Sequence, residues 1–221
     1  MPFDVDPPGE ANRQPMFNAP WPVVALVGAI IGGFALQGLF ADTAVLGWAF
    51  APADLDRGRW VTLVTALFLH GSWAHALMNA GAVLAFGTPA ARCFGPRPVG
   101  IAGLAVFYLA CGVLANLGYA ALHPGDTAPL VGASGAASGL MAAAAQVIAG
   151  GGRPGPILSR PVLGMATAWV AVNLIVAFTG IAPGAGDATV AWEAHLAGFA
   201  AGVVLFKPLL WVFARVGPGA A

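Results

Sequence analysis

The chain has 221 residues, of which 59% are hydrophobic and 8% are charged, and its formal net charge at pH 7 is zero. A soluble domain normally carries about 25% charged residues. This composition therefore excludes an ordinary soluble globule and predicts an integral membrane protein with the lipid bilayer as its solvent. The zero net charge and the absence of a basic, aromatic-rich patch in the sequence argue against nucleic acid as a partner.

Six apolar stretches follow in chain order, each close to the roughly 20 residues that a helix needs to cross a bilayer. Proline, glycine and charged residues separate them, as is typical of loops. We therefore predict an all-α membrane protein in which residues 21–214 form a six-helix bundle, with a short disordered tail over 1–20 and a second short tail over 215–221. The predicted spans are 21–40, 61–86, 99–122, 132–149, 161–181 and 190–213.

The placement of lysine and arginine predicts the orientation of the bundle. Six spans put both termini on one side of the membrane, and cytoplasmic loops are enriched in basic residues. We therefore expect both termini to be cytoplasmic. The alanine- and glycine-rich chain with its short tails favours a bacterial cytoplasmic (inner) membrane. The side of the termini would carry Arg13, Arg92, Arg97, Arg153, Arg160, Lys207 and Arg215, whereas the outer side would carry only Arg57 and Arg59.

Polar side chains within membrane spans are costly and usually functional, and this chain has them in three spans. His75 and Asn79 are four residues apart in the second span, so they share one helix face. Ser134 opens the fourth span, where the free backbone N–H groups of a helix start favour negative charge. His195 follows the outer start of the sixth span. We expect these four residues to lie at a similar depth in the outer half of the bilayer, as a single site requires.

The spacing of glycines predicts that the fourth and sixth spans pack closely. Two glycines four residues apart in each of these spans form small-xxx-small stripes, which let helix backbones approach each other. Close packing would bring the hydroxyl of Ser134 within hydrogen-bonding distance of His195. The glycines near the site are Gly132, Gly135, Gly139, Gly198 and Gly202.

These residue types together point to acyl transfer. A serine hydroxyl next to an imidazole forms a nucleophile and a general base, here Ser134 and His195. The side chains of His75 and Asn79 and the backbone N–H of Ser134 would then stabilise an oxyanion. The reaction predicted most simply is hydrolysis of a peptide bond. No cofactor and no metal is predicted.

Each feature also has a structural interpretation when it stands alone. A serine between glycines is usually a packing residue, a lone membrane histidine is more often a core or proton-relay residue, and an HxxxN pair can tie two helices together. A small transporter or cofactor carrier is a further alternative, with a haem or metal on His70, His75 and His195. Neither a matching carboxylate or cysteine set nor a pair of broken half-helices supports it. For His70 we expect a structural role.

Three motifs carry a family resemblance. They are HALMN at 75–79 in the second span, GASG at 132–135 at the start of the fourth, and HLAGFAAG at 195–202 in the sixth. In this order, and with six spans, they resemble the motifs of the rhomboid family of intramembrane serine proteases. The resemblance extends over nearly the whole chain, from the first span to the last.

The resemblance implies a Ser134–His195 dyad without a third carboxylate, and an oxyanion held by His75 and Asn79. It further implies that the substrates are transmembrane proteins cut in or near a membrane span. Water would reach the dyad through a cavity open to the outside, and the loop at 183–189 would cap that cavity. The alternative is a catalytically silent relative that binds membrane clients, although such a protein would be expected to lose the serine or the histidine.

The chain departs from the family pattern at three places. A valine, rather than an arginine, follows Trp60 in the first loop, and the stretch 88–92 after the second span has no glutamate. Ser138 stands four residues after Ser134, where some members have an aromatic residue under the histidine ring.

Glu193 lies two residues before His195, and alternate helix residues do not face each other. We therefore place Glu193 at the water boundary rather than in a triad.

Overall fold

The structure is a computed structural model that describes residues 18–180 and 190–215. The predicted cap loop at 183–189 lies outside the described residues, as do nearly all residues of the two predicted tails. The described residues contain no β-strand, and the predicted all-α class is confirmed. Two short 3-10 helices span Pro52–Asp54 and Ala66–Phe68. The α-helices are α1 (Trp21–Gln37), α2 (Asp42–Trp48), α3 (Thr62–Thr65), α4 (Trp73–Phe94), α5 (Pro98–Leu122), α6 (Ser134–Ala149), α7 (Arg160–Thr179) and α8 (Trp192–Arg215).

The apolar character of the helices agrees with a membrane protein. Helices α5, α7 and α8 are both long and apolar enough to cross a bilayer, whereas α1 and α6 are apolar but shorter, with 17 and 16 residues. Large apolar side chains project from the surface of the bundle, among them Phe178 at 87% exposure. A surface in water rarely carries such side chains in extended patches, so lipid is the solvent for this surface.

The second predicted span is wrong at its start. Residues 61–72, which the apolar sequence assigns to that span, form α3, a 3-10 helix and a turn, and α4 begins only at Trp73. The hydroxyl of Ser72 accepts a hydrogen bond from the backbone N–H of His75 at 3.1 Å. This cap satisfies one of the donors that a helix leaves unpaired at its start. His70 therefore lies before the helix and not within it.

Helix α4 also continues beyond its predicted end, to Phe94, with Pro89 inside it. A proline removes one backbone hydrogen bond from a helix. The hydroxyl of Thr88 adds a bond nearby by donating to the carbonyl of Leu84 at 2.7 Å, and side-chain hydroxyls often help membrane helices to accommodate proline in this way. The other five predicted spans agree with α1, α5, α6, α7 and α8 to within three residues at each end.

Helix α6 lies at the centre of the bundle, and α7 lies at its edge. Thirteen of the 16 residues in α6 are buried, and α4, α5, α7 and α8 all pack against it. Its sequence is mostly alanine and glycine, so that four neighbouring helices approach it closely. In α7, by contrast, only Val162 and Asn173 are buried among 20 residues.

The loop between α1 and α4 is held by a buried carboxylate. Asp54 is 2% exposed. It accepts hydrogen bonds from the guanidinium of Arg59 at 2.9 Å, the backbone N–H of Ala51 at 3.1 Å and the hydroxyl of Thr62 at 3.2 Å. A buried charge needs an opposite charge and hydrogen bonds of this kind to offset its loss of hydration. The first loop is therefore a defined part of the fold.

This loop is joined to α1 on one side and to the segment before α6 on the other. The amide of Gln37, at the end of α1, donates to the backbone carbonyl of His70 at 2.9 Å and accepts from its N–H at 3.1 Å. Phe50 and Leu130 form an isolated antiparallel bridge through two backbone hydrogen bonds. The backbone that leads into α6 is therefore fixed to the first loop.

Candidate active site

Ser134 is the first residue of α6, and a glycine shapes the turn before it. Gly132 has a φ of +122°, which L side chains rarely adopt, and its N–H donates to the carbonyl of Ala66 at 2.9 Å. This turn allows the chain to pass from the bridge at Leu130 into the helix. The first N–H groups of a helix have no carbonyl within the helix to bind, so the backbone beside the serine is suited to negative charge.

Glycines bring α6 and α8 into backbone contact beside the serine. A Cβ atom on Gly198 would clash with the carbonyl of Gly135, and a Cβ atom on Gly202 would lie 2.6 Å from the Cα atom of Gly139. Real Cβ atoms essentially never approach other atoms so closely. Glycine at these positions therefore permits the short separation of the two helices.

His195, one turn into α8, reaches the serine across this contact. Its Nε2 atom lies 2.8 Å from the hydroxyl oxygen of Ser134, and its Nδ1 atom lies 2.8 Å from Oδ1 of Asn173 in α7. The indole of Trp169, one turn before Asn173, lies against the imidazole with ring centroids 5.6 Å apart. Side chains from three helices thus converge at this point: a hydroxyl on one side of the imidazole and an amide oxygen on the other.

His75 and Asn79 lie on the side of α4 that faces the start of α6. A Cβ atom on Gly132 would lie 2.8 Å from Nε2 of His75 and 3.8 Å from Nδ2 of Asn79. The Nδ1 atom of His75 accepts from the N–H of Gly71 at 3.4 Å, which leaves the proton of a neutral ring on Nε2. One N–H of the Asn79 amide donates to the His75 carbonyl at 3.0 Å, and an amide has a second N–H to donate.

A cavity of about 600 Å³ opens beside these residues, and all four predicted polar residues line it. Apolar walls with a few convergent polar groups are typical of binding sites. The cavity is therefore a site at which an apolar segment would meet the serine and the histidine. Its large apolar lining residues are Met78, Phe86, Leu130, Val131, Met141, Trp169, Val172, Val176, Val190 and Trp192.

Glu193 pairs with His123 rather than with His195. Its Oε1 atom lies 3.1 Å from Nε2 of His123, and the His123 ring stacks on Tyr119 with centroids 4.2 Å apart. His123 follows directly after the end of α5. The pair therefore joins the end of α5 to the start of α8, and Nδ1 of His195 has Asn173 as its partner.

The aromatic neighbour of the histidine comes from a different helix than the family pattern suggests. Ser138 has a small side chain, and its hydroxyl donates to the backbone carbonyl of Ser134 at 2.8 Å. Trp169, which α7 contributes, lies beside His195. An aromatic ring therefore contacts the imidazole although position 138 does not supply it.

Asn173 and Trp169 are not among the residues predicted from the sequence. An amide in an otherwise apolar span is the signal that points to Asn173, because a polar side chain in a bilayer needs a partner. Asn116 in α5 shows why that signal alone is weak. Its amide is also buried, but it donates to the backbone carbonyl of Leu63 at 3.0 Å. Only the folded arrangement distinguishes the two asparagines.

Among the described residues, His70, His75 and His195 do not form a set of metal ligands. Within residues 18–180 and 190–215, no group of three or more histidine, cysteine, aspartate or glutamate side chains is placed to hold a metal ion. The rings of His70 and His75 meet edge to face with centroids 5.1 Å apart. His195 instead contacts the serine and the asparagine.

Comparison with known proteins identifies one family. The model of a family described as the Rhomboid domain matches residues 57–212 of the chain. The matched segment begins in the first loop and ends within α8, so it includes all of α4, α5, α6 and α7. A search of curated proteins finds no match.

Proposed function

The chain belongs to the rhomboid family, and from this premise we propose that it is an intramembrane serine endopeptidase that cuts transmembrane segments of membrane-protein substrates. The observation that carries the proposal is the 2.8 Å distance between the hydroxyl oxygen of Ser134 and Nε2 of His195. A neutral imidazole at this distance is able to take the hydroxyl proton as the serine attacks a carbonyl group.

In the first half of the reaction, Oγ of Ser134 attacks the carbonyl carbon of the scissile peptide bond, and its proton passes to Nε2 of His195. The carbonyl oxygen takes the π electrons and becomes an oxyanion. When this tetrahedral intermediate collapses, the C–N bond breaks and the leaving amine takes the proton from His195. Ser134 then carries the acyl group as an ester.

In the second half, a water molecule attacks the ester carbonyl while His195 takes one of its protons. Collapse of the second intermediate breaks the bond between Oγ of Ser134 and the acyl carbon, and the serine regains its proton from His195. The products are a carboxylic acid and an amine. Apart from the water molecule, the chain supplies all the groups that these reaction steps require, and no cofactor takes part.

We assign stabilisation of the oxyanion to donors where α4 meets α6. They are the backbone N–H of Ser134, Nε2–H of His75 and Nδ2–H of Asn79. The closeness of both side chains to Gly132 supports this assignment. Donors that are already in place when charge develops stabilise the transition state without further reorganisation, and the positive end of the α6 dipole acts in the same direction.

We also propose that residues 21–214 act as one membrane domain, in a bacterial cytoplasmic membrane, with both termini in the cytoplasm and the site on the outer side. Arg92 near the end of α4 donates to the carbonyl of Asn18 at 3.0 Å, and Arg92 and Arg153 line one depression. These basic residues lie at the end of α4 away from His75. Their position supports a cytoplasmic assignment for that end.

Replacing the proposed nucleophile or base tests the function. We expect Ser134→Ala and His195→Ala each to abolish cleavage of a model transmembrane reporter in vesicles, because each removes one half of the proton transfer. The measurement is release of the reporter fragment. The control is Ser159→Ala, which replaces a serine that precedes α7. This variant should cleave the reporter at the natural rate. Cleavage that persisted in the Ser134→Ala chain would rule out the mechanism.

A serine-reactive probe separates the protease from a catalytically silent relative that only binds membrane clients. A fluorophosphonate forms a covalent bond with an activated serine, so it should label the natural chain and fail to label Ser134→Ala. A folded natural chain that retained a membrane client and took no label would favour the silent alternative. The presence of both Ser134 and His195 in contact supports the active one.

A further inference from the structure

The proposed base, His195, is held by an amide on the side away from Ser134. Its Nδ1 atom lies 2.8 Å from Oδ1 of Asn173, and this α7 side chain is only 2% exposed. We propose that Asn173 is a positioning residue that holds His195 in the tautomer and ring orientation that a base for Ser134 requires. This inference rests on the proposed function and adds a third residue to the site.

The hydrogen bonds of the Asn173 amide determine which of its atoms faces the imidazole. Nδ2 donates to the backbone carbonyl of Trp169 at 2.8 Å. If the amide were turned over, Oδ1 would face that carbonyl oxygen, and two acceptors would lie opposite each other in a buried site. The network therefore puts the acceptor, Oδ1, against Nδ1 of His195.

An acceptor at Nδ1 determines where the histidine carries its proton. A neutral imidazole has one N–H and one free lone pair. Because Asn173 accepts from Nδ1–H, the lone pair is on Nε2, which faces the hydroxyl of Ser134 at 2.8 Å. The other tautomer would present an N–H to the serine and would be unable to take its proton. Asn173 thus selects the reactive tautomer.

Trp169 packs beside the ring of His195. The indole and imidazole planes are inclined by 31°, with centroids 5.6 Å apart. Trp169 and Asn173 are four residues apart in α7, so they lie on one face of that helix. Asn173 therefore limits the rotation of the His195 ring through the hydrogen bond, and Trp169 limits its tilt through the aromatic contact.

A neutral partner suits a histidine inside a membrane. When His195 takes the serine proton, its Nδ1–H bond to Asn173 becomes charge-assisted and strengthens. A carboxylate at this position would stabilise the imidazolium more, but it would be a buried anion whenever the histidine is neutral, and such charges are costly in a bilayer. The amide of Asn173 supplies an acceptor without that charge.

Nitrogen-15 NMR of the histidine side chains, in the full chain in detergent micelles, tests the tautomer directly. The chain has four histidines, and His195→Gln assigns the signal by difference. We expect natural His195 to carry its proton on Nδ1, and Asn173→Leu to give a mixture of tautomers. Asn116→Leu removes another buried amide and should leave the tautomer unchanged. A natural His195 with its proton on Nε2 would overturn the inference.

Cleavage kinetics give a second measurement. Asn173→Leu should lower kcat roughly tenfold to hundredfold while KM stays within about twofold, because the lost bond acts on the base and not on substrate binding. Asn173→Asp keeps an acceptor oxygen and should retain more activity than Asn173→Leu. Equal kcat values for the natural chain and a folded Asn173→Leu chain would also overturn the inference.

The two measurements separate this inference from the proposed function. A natural chain that cleaves the reporter, but whose His195 tautomer and kcat do not depend on Asn173, would refute the inference alone. A natural chain that neither cleaves nor takes the serine label, while its His195 tautomer depends on Asn173, would refute the proposed function. In that case the positioning of His195 by Asn173 would be supported.

Discussion

Helices α6 and α7 both contribute to the site, yet the bundle holds them in opposite ways. Thirteen of the 16 residues in α6 are buried, against two of the 20 in α7. Four long helices pack against α6, whereas α7 packs mainly against α6 and α8. The position of Ser134 is therefore set by packing along a whole helix. The positions of Asn173 and Trp169 depend on a few contacts along one face.

This contrast predicts that the same change in chemistry has different effects in the two helices. A substitution where other helices pack against α6 must displace backbone or enter occupied space. In a closely packed interior such a change lowers stability. A substitution on the exposed face of α7 meets no packed helix within the part of the chain that the structure describes. Matched pairs of variants, one in or against α6 and one in α7, therefore test the comparison directly.

Glycine to alanine gives the largest expected difference. In Gly198→Ala the new Cβ would clash with the backbone of Gly135, and overpacking of this kind costs roughly 1–3 kcal/mol or more. In Gly164→Ala no atom of the described residues lies within 4 Å of the new Cβ, and alanine is favoured over glycine in a helix by about 0.5–1 kcal/mol. Thermal unfolding in micelles should show a lower midpoint for the first variant only. A similar drop in the unfolding midpoint of both variants would contradict the expected difference between the α6 contact and α7.

Two glycines with positive φ, one before α6 and one after α7, give the next effect. In Gly132→Ala an L residue must adopt a φ of +122°, and in Gly180→Ala a φ of +68°. Each of these conformations costs on the order of 1–3 kcal/mol for a residue other than glycine. Only at Gly132 would the new Cβ meet the ring of His75, at 2.8 Å from Nε2. We expect thermal unfolding to show a loss of stability in both, larger in Gly132→Ala because of this clash, and a loss of reporter cleavage in Gly132→Ala alone.

Removal of a polar contact between α6 and α8 should have a smaller effect. The buried amide of Gln146 donates to the carbonyls of Gly202 and Val203 at 3.4 and 3.3 Å. Bonds between membrane helices contribute about 0.6 kcal/mol on average, so Gln146→Leu should lower the unfolding free energy by about that amount. Thr167→Val in α7 changes an exposed side chain and should change the unfolding free energy less. A larger loss for the threonine variant would contradict this.

The smallest effect is expected on the lipid-facing side of α7. Phe178 is 87% exposed, so Phe178→Ala leaves no cavity in the bundle. Surface substitutions of this kind usually change stability by no more than about 0.5 kcal/mol. Reporter cleavage and the unfolding midpoint should both stay close to the natural values. A clear loss of stability would mean that this side of α7 is packed against something other than lipid.

The apolar pattern of the sequence predicted most of the fold but misplaced one helix. Residues 61–69 are as apolar as a membrane span, so hydropathy alone merges them with α4. The break depends on contacts that the pattern does not contain: the cap that Ser72 provides, and the two hydrogen bonds between the Gln37 amide and the backbone of His70, 33 residues further along the chain. The extension through Pro89 was missed because a proline in a sequence reads as a break.

The site was predictable to the extent that its residues form local motifs. Ser134, His195, His75 and Asn79 were predicted as one site, and the structure brings all four to one cavity, while their catalytic roles remain predictions. Asn173 belongs to no such motif. Its partner, His195, lies in another helix, so its contact depends on how α7 and α8 are rotated against each other, which a single sequence does not specify.

The bridge between Phe50 and Leu130 has a mechanical consequence for the start of α6. It couples the backbone just before Ser134 to the first loop, and Trp48, two residues before Phe50, is 40% exposed. A force applied to this loop would therefore reach the backbone before Ser134 through main-chain hydrogen bonds. Since Leu130 also lines the cavity, such a force would act on the cavity wall as well.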